Sequence, residues 1–102
     1  MANAFGNPIV LDSTMAATWR NTASNNAPQN ESINIKKVMW DGPAAGGTFV
    51  MQYGDGTTFL AGTAQATTAP SSVNYDFFGG MTIFDFKLTT LSSGKIYIYY
   101  SL

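Results

Sequence analysis

Cysteine and histidine are both absent from the 102 residues. Their absence excludes a disulfide framework, a thiolate zinc site and any mechanism that needs a thiol or an imidazole. Charge is scarce as well: Asp, Glu, Lys and Arg make up 11% of the chain, against about 25% in an average soluble domain. Five basic residues nearly cancel six acidic ones, for a net charge of -1, so the chain has no cationic footprint for nucleic acid or anionic lipid. No apolar run approaches the roughly 18 residues of a membrane-spanning helix. The opening Met1-Ala2-Asn3-Ala4-Phe5 has neither the basic nor the apolar region of a signal peptide, and secretion by that route is not expected.

So little charge constrains the surface. It must be made of Asn, Thr, Ser, Gln and Gly, or part of it must be covered by another protein, and a net charge near zero removes the repulsion that keeps free proteins apart. Two readings stay open: a component of an assembly, or a Thr/Asn-rich β domain that tolerates low charge.

Hydrophobic residues nevertheless make up 45% of the chain and aromatics 14%, and their spacing divides it in two. Residues 1–31 hold six of the eight asparagines and one short apolar run, Ile9-Val10-Leu11. The stretch from Asn21 to Ser32 has no apolar residue larger than Ala and cannot bury enough surface to offset its ordering entropy. Residues 1–31 are therefore expected to form a polar, irregular arm, weakly ordered in the free protein. An alternative is that Ile9-Val10-Leu11 is an edge strand. Asp12–Arg20 reads either as a short helical turn capped by Asp12 or Ser13 or as a strand that brings Met15 to a distant partner.

From Ser32 to Leu102 the periodicity is close to two. Ile33, Ile35 and Met39 alternate with Asn34, Lys36, Val38 and Trp40 in a strand that ends at Asp41-Gly42-Pro43. Phe49, Met51 and Tyr53 lead into Gly54-Asp55-Gly56, a tight hairpin, and Thr57–Ala61 returns. Thr63–Thr68 is a weaker strand, and Val73, Tyr75 and Phe77 mark another, broken by Gly79-Gly80. Phe84, Phe86 and Leu88 are expected inward, with Ile83, Asp85 and Lys87 outward. Ser92-Ser93-Gly94 turns the chain into a last strand, where Ile96, Ile98 and Tyr100 share one face and Tyr97 and Tyr99 the other. About seven short strands joined by short loops predict an all-β domain over 32–102, a small antiparallel sandwich or barrel.

Little in the pattern suggests catalysis. Asp12, Glu31, Asp41, Asp55, Asp76 and Asp85 are the only carboxylates besides the C-terminus. Asp76 and Asp85 could sit on neighbouring strands as a glycosidase pair would, but both alternate outward from aromatic positions, and Asp41 and Asp55 belong to turns. Serine has no histidine base, Gly42–Gly47 lacks the Lys-Ser/Thr ending of a phosphate loop, and no run of clustered oxygen ligands suits calcium. Lys36 and Lys37 are expected on opposite faces of their strand. The expectations are no catalytic residue, no cofactor and no metal. Tyr97 and Tyr99 remain as candidates for a contact surface, since Tyr combines apolar area with a polar tip, and Trp19 and Ile9-Val10-Leu11 have no obvious place in a seven-strand core.

The series Ile33-x-Ile35, Trp40-x-Gly42, Ala45-Gly46, Phe49-Val50 and Tyr53-x-Asp55, with the ending Gly80-Met81-Thr82 and Leu88–Tyr99, resembles small β-rich proteins encoded beside the head genes of tailed phages. The ending looks like that group's terminal hairpin. The resemblance implies a non-enzymatic virion protein, made in the host cytoplasm and bound to the outer capsid as a homo-oligomer or in many copies. Its partners would be the major capsid protein or neighbouring virion subunits; the candidate contact residues, read from their placement in the chain, are Ile9, Val10, Leu11, Trp19, Tyr97 and Tyr99. The alternatives are a tail or fibre adaptor and a carbohydrate-binding module, with a small hydrolase disfavoured by the missing catalytic groups.

Overall fold

Alternating apolar residues that are β-branched or aromatic favour strands that bury one face, and the computed structural model has them as two antiparallel sheets rather than a closed barrel. It describes residues 3–15, 17–21, 32–64, 67 and 71–101. The Asn-rich stretch 22–31 and much of the weak strand expected over Thr63–Thr68 lie outside these residues. The strands are β1 (Ala4–Phe5), β2 (Ile9–Leu11), β3 (Ile33–Asp41), β4 (Thr48–Tyr53), β5 (Thr58–Thr63), β6 (Ser72–Ile83), β7 (Phe86–Leu91) and β8 (Lys95–Ser101). One sheet has the order β1-β2-β8-β3-β6 and the other β5-β4-β7.

The core lies between the sheets. The five-stranded sheet contributes Ile9, Leu11, Ile33, Ile35, Val38, Trp40, Ile96 and Ile98, and the three-stranded sheet contributes Phe49, Met51, Phe86 and Leu88, all buried. Trp40 meets Phe49 edge-on at 4.9 Å between ring centroids, and Phe49 meets Tyr75 at 5.7 Å, geometries that favour aromatic pairs. Gly62 makes room for this cluster. A Cβ there would fall against the Tyr75 hydroxyl and 2.5 Å from Phe49 Cε1, and the Phe49 ring, fully buried, has nowhere to move. Gly62→Ala is expected to lower stability by about 1–3 kcal/mol, the usual cost of overpacking, measured by urea titration.

Three expectations of strand phase need correction. Val38 and Trp40 point inward and Met39 outward, because β3 carries a bulge: Ile35 pairs with Tyr100 and Lys37 with Tyr99, leaving Lys36 as an extra residue. An inserted residue shifts the alternation by one, so Lys36 and Lys37 both leave on the outer side instead of opposite faces. Ile83 is buried and Phe84 exposed, the reverse of the expectation. Ile83 ends β6 in one sheet and Phe86 begins β7 in the other, so Phe84-Asp85 is a crossing between sheets and no common alternation runs through it. The terminal hairpin is also absent as such. β7 and β8 belong to different sheets, and Ser92-Ser93-Gly94 is a second crossing. There the Ser92 and Ser93 hydroxyls accept the Thr48 and Ala44 amides at 2.8 and 2.9 Å, and the Trp40 indole donates to the Ser93 carbonyl at 2.9 Å.

The segment expected to be an arm is built into both sheets where it is described. β2 pairs with β8 through Ile9↔Ile98 and Leu11↔Ile96. The chain then crosses to the edge of the other sheet, where the Met15 amide donates to the Leu88 carbonyl at 2.9 Å. It ends in a single 3-10 turn, Trp19–Asn21, whose indole stacks on Phe86 at 5.5 Å. Neither reading of Asp12–Arg20 is realised as expected: Met15 makes that hydrogen bond without forming a strand, and the one helical turn begins at Trp19, where neither Asp12 nor Ser13 can cap it.

Candidate contact surfaces

Of the six residues expected to meet a partner, Ile9, Leu11 and Trp19 are fully buried in the chain's own core. That part of the expectation is corrected. Large apolar side chains with no visible place in a seven-strand pattern are here strand β2, seated between β1 and β8, and a plug at the sandwich edge, and they cannot reach a partner without unfolding. Val10, Tyr97 and Tyr99 are half-buried, and the register brings them together on the outer face of the five-stranded sheet. Val10 pairs with Tyr97, Tyr97 with Met39 and Met39 with Asn74, so one row across four strands reads Val, Tyr, Met, Asn. In the next row Tyr99 lies opposite Lys37, and Lys37 opposite Asp76. The Lys37 ammonium stands over the Tyr99 ring, 5.7 Å from its centroid, within range for a cation–π contact. No strand or helical turn of the described residues lies over this face. Met39 was missed as a contact residue because the bulge at Lys36 reverses its direction.

The outer face of the three-stranded sheet differs. Thr48, Val50 and Gln52 of β4 lie beside Thr63 and Ala61 of β5 and Thr90 and Lys87 of β7. It is small-residue and polar, so the two outer faces are chemically distinct.

A second feature lies where the β4–β5 hairpin meets the crossing from β6 to β7. Gly56 donates to the Tyr53 carbonyl at 3.0 Å, and its φ of 93° supplies the left-handed position of a three-residue hairpin loop. Tyr53, Gly54 and Asp55 of this loop face Phe84 and Asp85 across an open cleft of about 340 Å³. Tyr53 stacks on Phe59 at 4.7 Å, and the Arg20 guanidinium lies 3.7 Å over the Phe84 ring while its Nε donates to the Phe84 carbonyl. Asp85 Oδ1 accepts the amides of Arg20 and Phe86 at 3.0 and 2.9 Å. Asp55 accepts the Thr57 amide at 2.9 Å, and that backbone hydrogen bond holds its carboxyl below the usual range. A general acid needs the opposite shift.

Among the described residues the carboxylates that line a common cleft are Asp55 and Asp85. The pair weighed from the sequence was Asp76 with Asp85, but Asp76 sits opposite Lys37 on the outer face. No group of three or more acidic residues able to hold a metal occurs among the described residues, and no helix among them is long and apolar enough to cross a membrane. No family model matches the chain, and no curated protein or solved structure matches it.

Proposed function

We propose that this chain is a non-enzymatic structural protein that docks on other proteins through the outer face of its five-stranded sheet. The setting we propose is the one the sequence resemblance implies, the outer surface of a tailed-phage capsid, occupied in many copies. The observation supporting this reading is the register that lines up Val10, Tyr97 and Met39, with Tyr99 beside them, on a face no other described element covers. Tyr and Met at the centre of a patch, with charged groups such as Lys37 and Asp76 to one side, is the arrangement of an interface core and its polar rim. A polysaccharide would need free aromatic ring faces for stacking, and Lys37 stands over that of Tyr99, which favours a protein partner over a glycan.

The test is co-sedimentation with purified phage heads that lack this protein. Tyr97→Glu is expected to weaken binding at least about tenfold, since losing an aromatic hot spot costs about 2 kcal/mol or more and about 1.4 kcal/mol is a factor of ten. The melting temperature should stay close to that of the parent, because Tyr97 points away from the core. Binding unchanged by Tyr97→Glu and Met39→Glu would overturn the proposed face. Retention by tails or by immobilised glycans, with none by heads, would overturn the capsid setting.

A further inference from the structure

Phe78 and Phe84 are the two large apolar side chains that are exposed among the described residues, at 96% and 53%. Phe78 owes its exposure to a bulge in β6. Between the pairs Lys37↔Asp76 and Ile35↔Met81, β3 has the single residue Lys36 while β6 has four, Phe77 to Gly80. The excess chain turns out of the sheet on Gly79 and Gly80, whose φ values of 86° and 87° are ones L side chains avoid. Phe77 packs against the core and Phe78 projects into solvent. Lys36 Nζ lies 3.2 Å from the position a Cβ would take on Gly80, so a cation stands at the base of the projection that carries the Phe78 ring. Bulges on an edge strand also block strand-to-strand pairing, so the projection is not a template for extending the sheet.

The cleft between Tyr53 and Phe84 has the complementary chemistry. It has aromatic walls, backed by Phe59 on one side and Arg20 on the other, with the carboxylates of Asp55 and Asp85 among its lining groups. Its volume of about 340 Å³ is ample for a phenyl ring. At 96% exposure Phe78 does not occupy the cleft of its own chain.

We propose that Phe78 of one copy seats in the Tyr53–Phe84 cleft of a second copy, with Lys36 of the first beside Asp55 and Asp85 of the second. The two halves of this contact are different surfaces, so it is heterologous and propagates head to tail, into a ring if the rotation closes and into a chain if it does not. The contact does not depend on the docking face described above, which lies on other residues.

Sedimentation of the full chain over a rising concentration series at low salt tests it. The unaltered protein is expected to associate, and Phe78→Ser to weaken association at least about tenfold with an unchanged melting temperature. Lys36→Glu and Asp55→Lys should each weaken it, and the two together should restore it, because the charges are exchanged across the contact. A mixture of the Phe78→Ser and Asp55→Lys proteins should stop at one-to-one dimers, each supplying the half the other has lost. A chain that stays monomeric into the millimolar range, or associates equally well without Phe78, would overturn the proposal. Loss on Phe78→Ser without rescue by the charge exchange, and without one-to-one dimers, would overturn the cleft as its receptor.

Discussion

Removing residues 1–31 is expected to leave a protein that is unfolded or insoluble. The deletion takes away β1 and β2 and with them Ile9, Leu11, Met15 and Trp19, all buried. Burying one large apolar side chain contributes about 1.5–3 kcal/mol, so these four together approach the whole net stability of a small domain, about 5–15 kcal/mol. The damage is not confined to area. β8 would lose its partner along Ile96–Ile98 and present an open apolar edge, a site for aggregation. The Asn7 side chain, which donates to the Tyr100 carbonyl at 2.8 Å, would be lost from the same edge. Circular dichroism and a solubility assay on a chain beginning at Ser32 make the check. A truncated protein that folds with an unchanged melting temperature would mean that β2 and Trp19 contribute nothing to the core.

Phe86→Ala is expected to destabilise the protein by about 3–5 kcal/mol, the range for deleting a buried Phe side chain. Phe86 is fully buried at the start of β7, paired with Tyr53 across the sheet and stacked against Trp19. The alanine leaves a space between Trp19 and Tyr53, which are held by different parts of the chain and cannot both collapse into it freely. Phe84→Ala, two residues away, removes a half-exposed ring at the crossing and should cost far less. Urea titration of both variants separates the two positions. Equal losses would mean that Phe84 and Phe86 share the interior face, as simple alternation suggests.

Where alternation runs unbroken, the interior was legible in the residues themselves. Phe49 and Met51 in β4 and Ile96 and Ile98 in β8 face the core as a period of two requires, Tyr97 and Tyr99 face away, and Gly54-Asp55-Gly56 is the hairpin its residues announce. An all-β domain, sandwich or barrel, follows from this local chemistry, because apolar side chains at every second position can be buried together only by a strand laid against another apolar face. The direction of Met39, Val38 and Trp40 was not legible. A one-residue bulge at Lys36 reverses every side chain beyond it, and no local feature of Ile35-Lys36-Lys37-Val38 marks the insertion; it appears only when β3 is paired with β8 and β6.

The places where the chain leaves one sheet for the other were hidden for a similar reason. Phe84-Asp85 carries no glycine or proline, and its role as a crossing comes from distant groups: the Asp85 carboxylate holds the Arg20 amide, and the Phe84 ring lies under the Arg20 guanidinium. The same holds for Ile9, Leu11 and Trp19. In sequence they stand in an asparagine-rich, weakly patterned stretch with too few neighbours to form a core of their own. They become core only because β8 offers an unpaired edge and Phe86 an uncovered ring, each more than 60 residues away along the chain. Composition and period thus determined the class of fold and the faces of its regular strands, which depend on neighbours one and two residues apart. Strand order, the bulges and the burial of the N-terminal segment depend on which surfaces remain unpaired once the other strands are in place, and only the tertiary structure decided those.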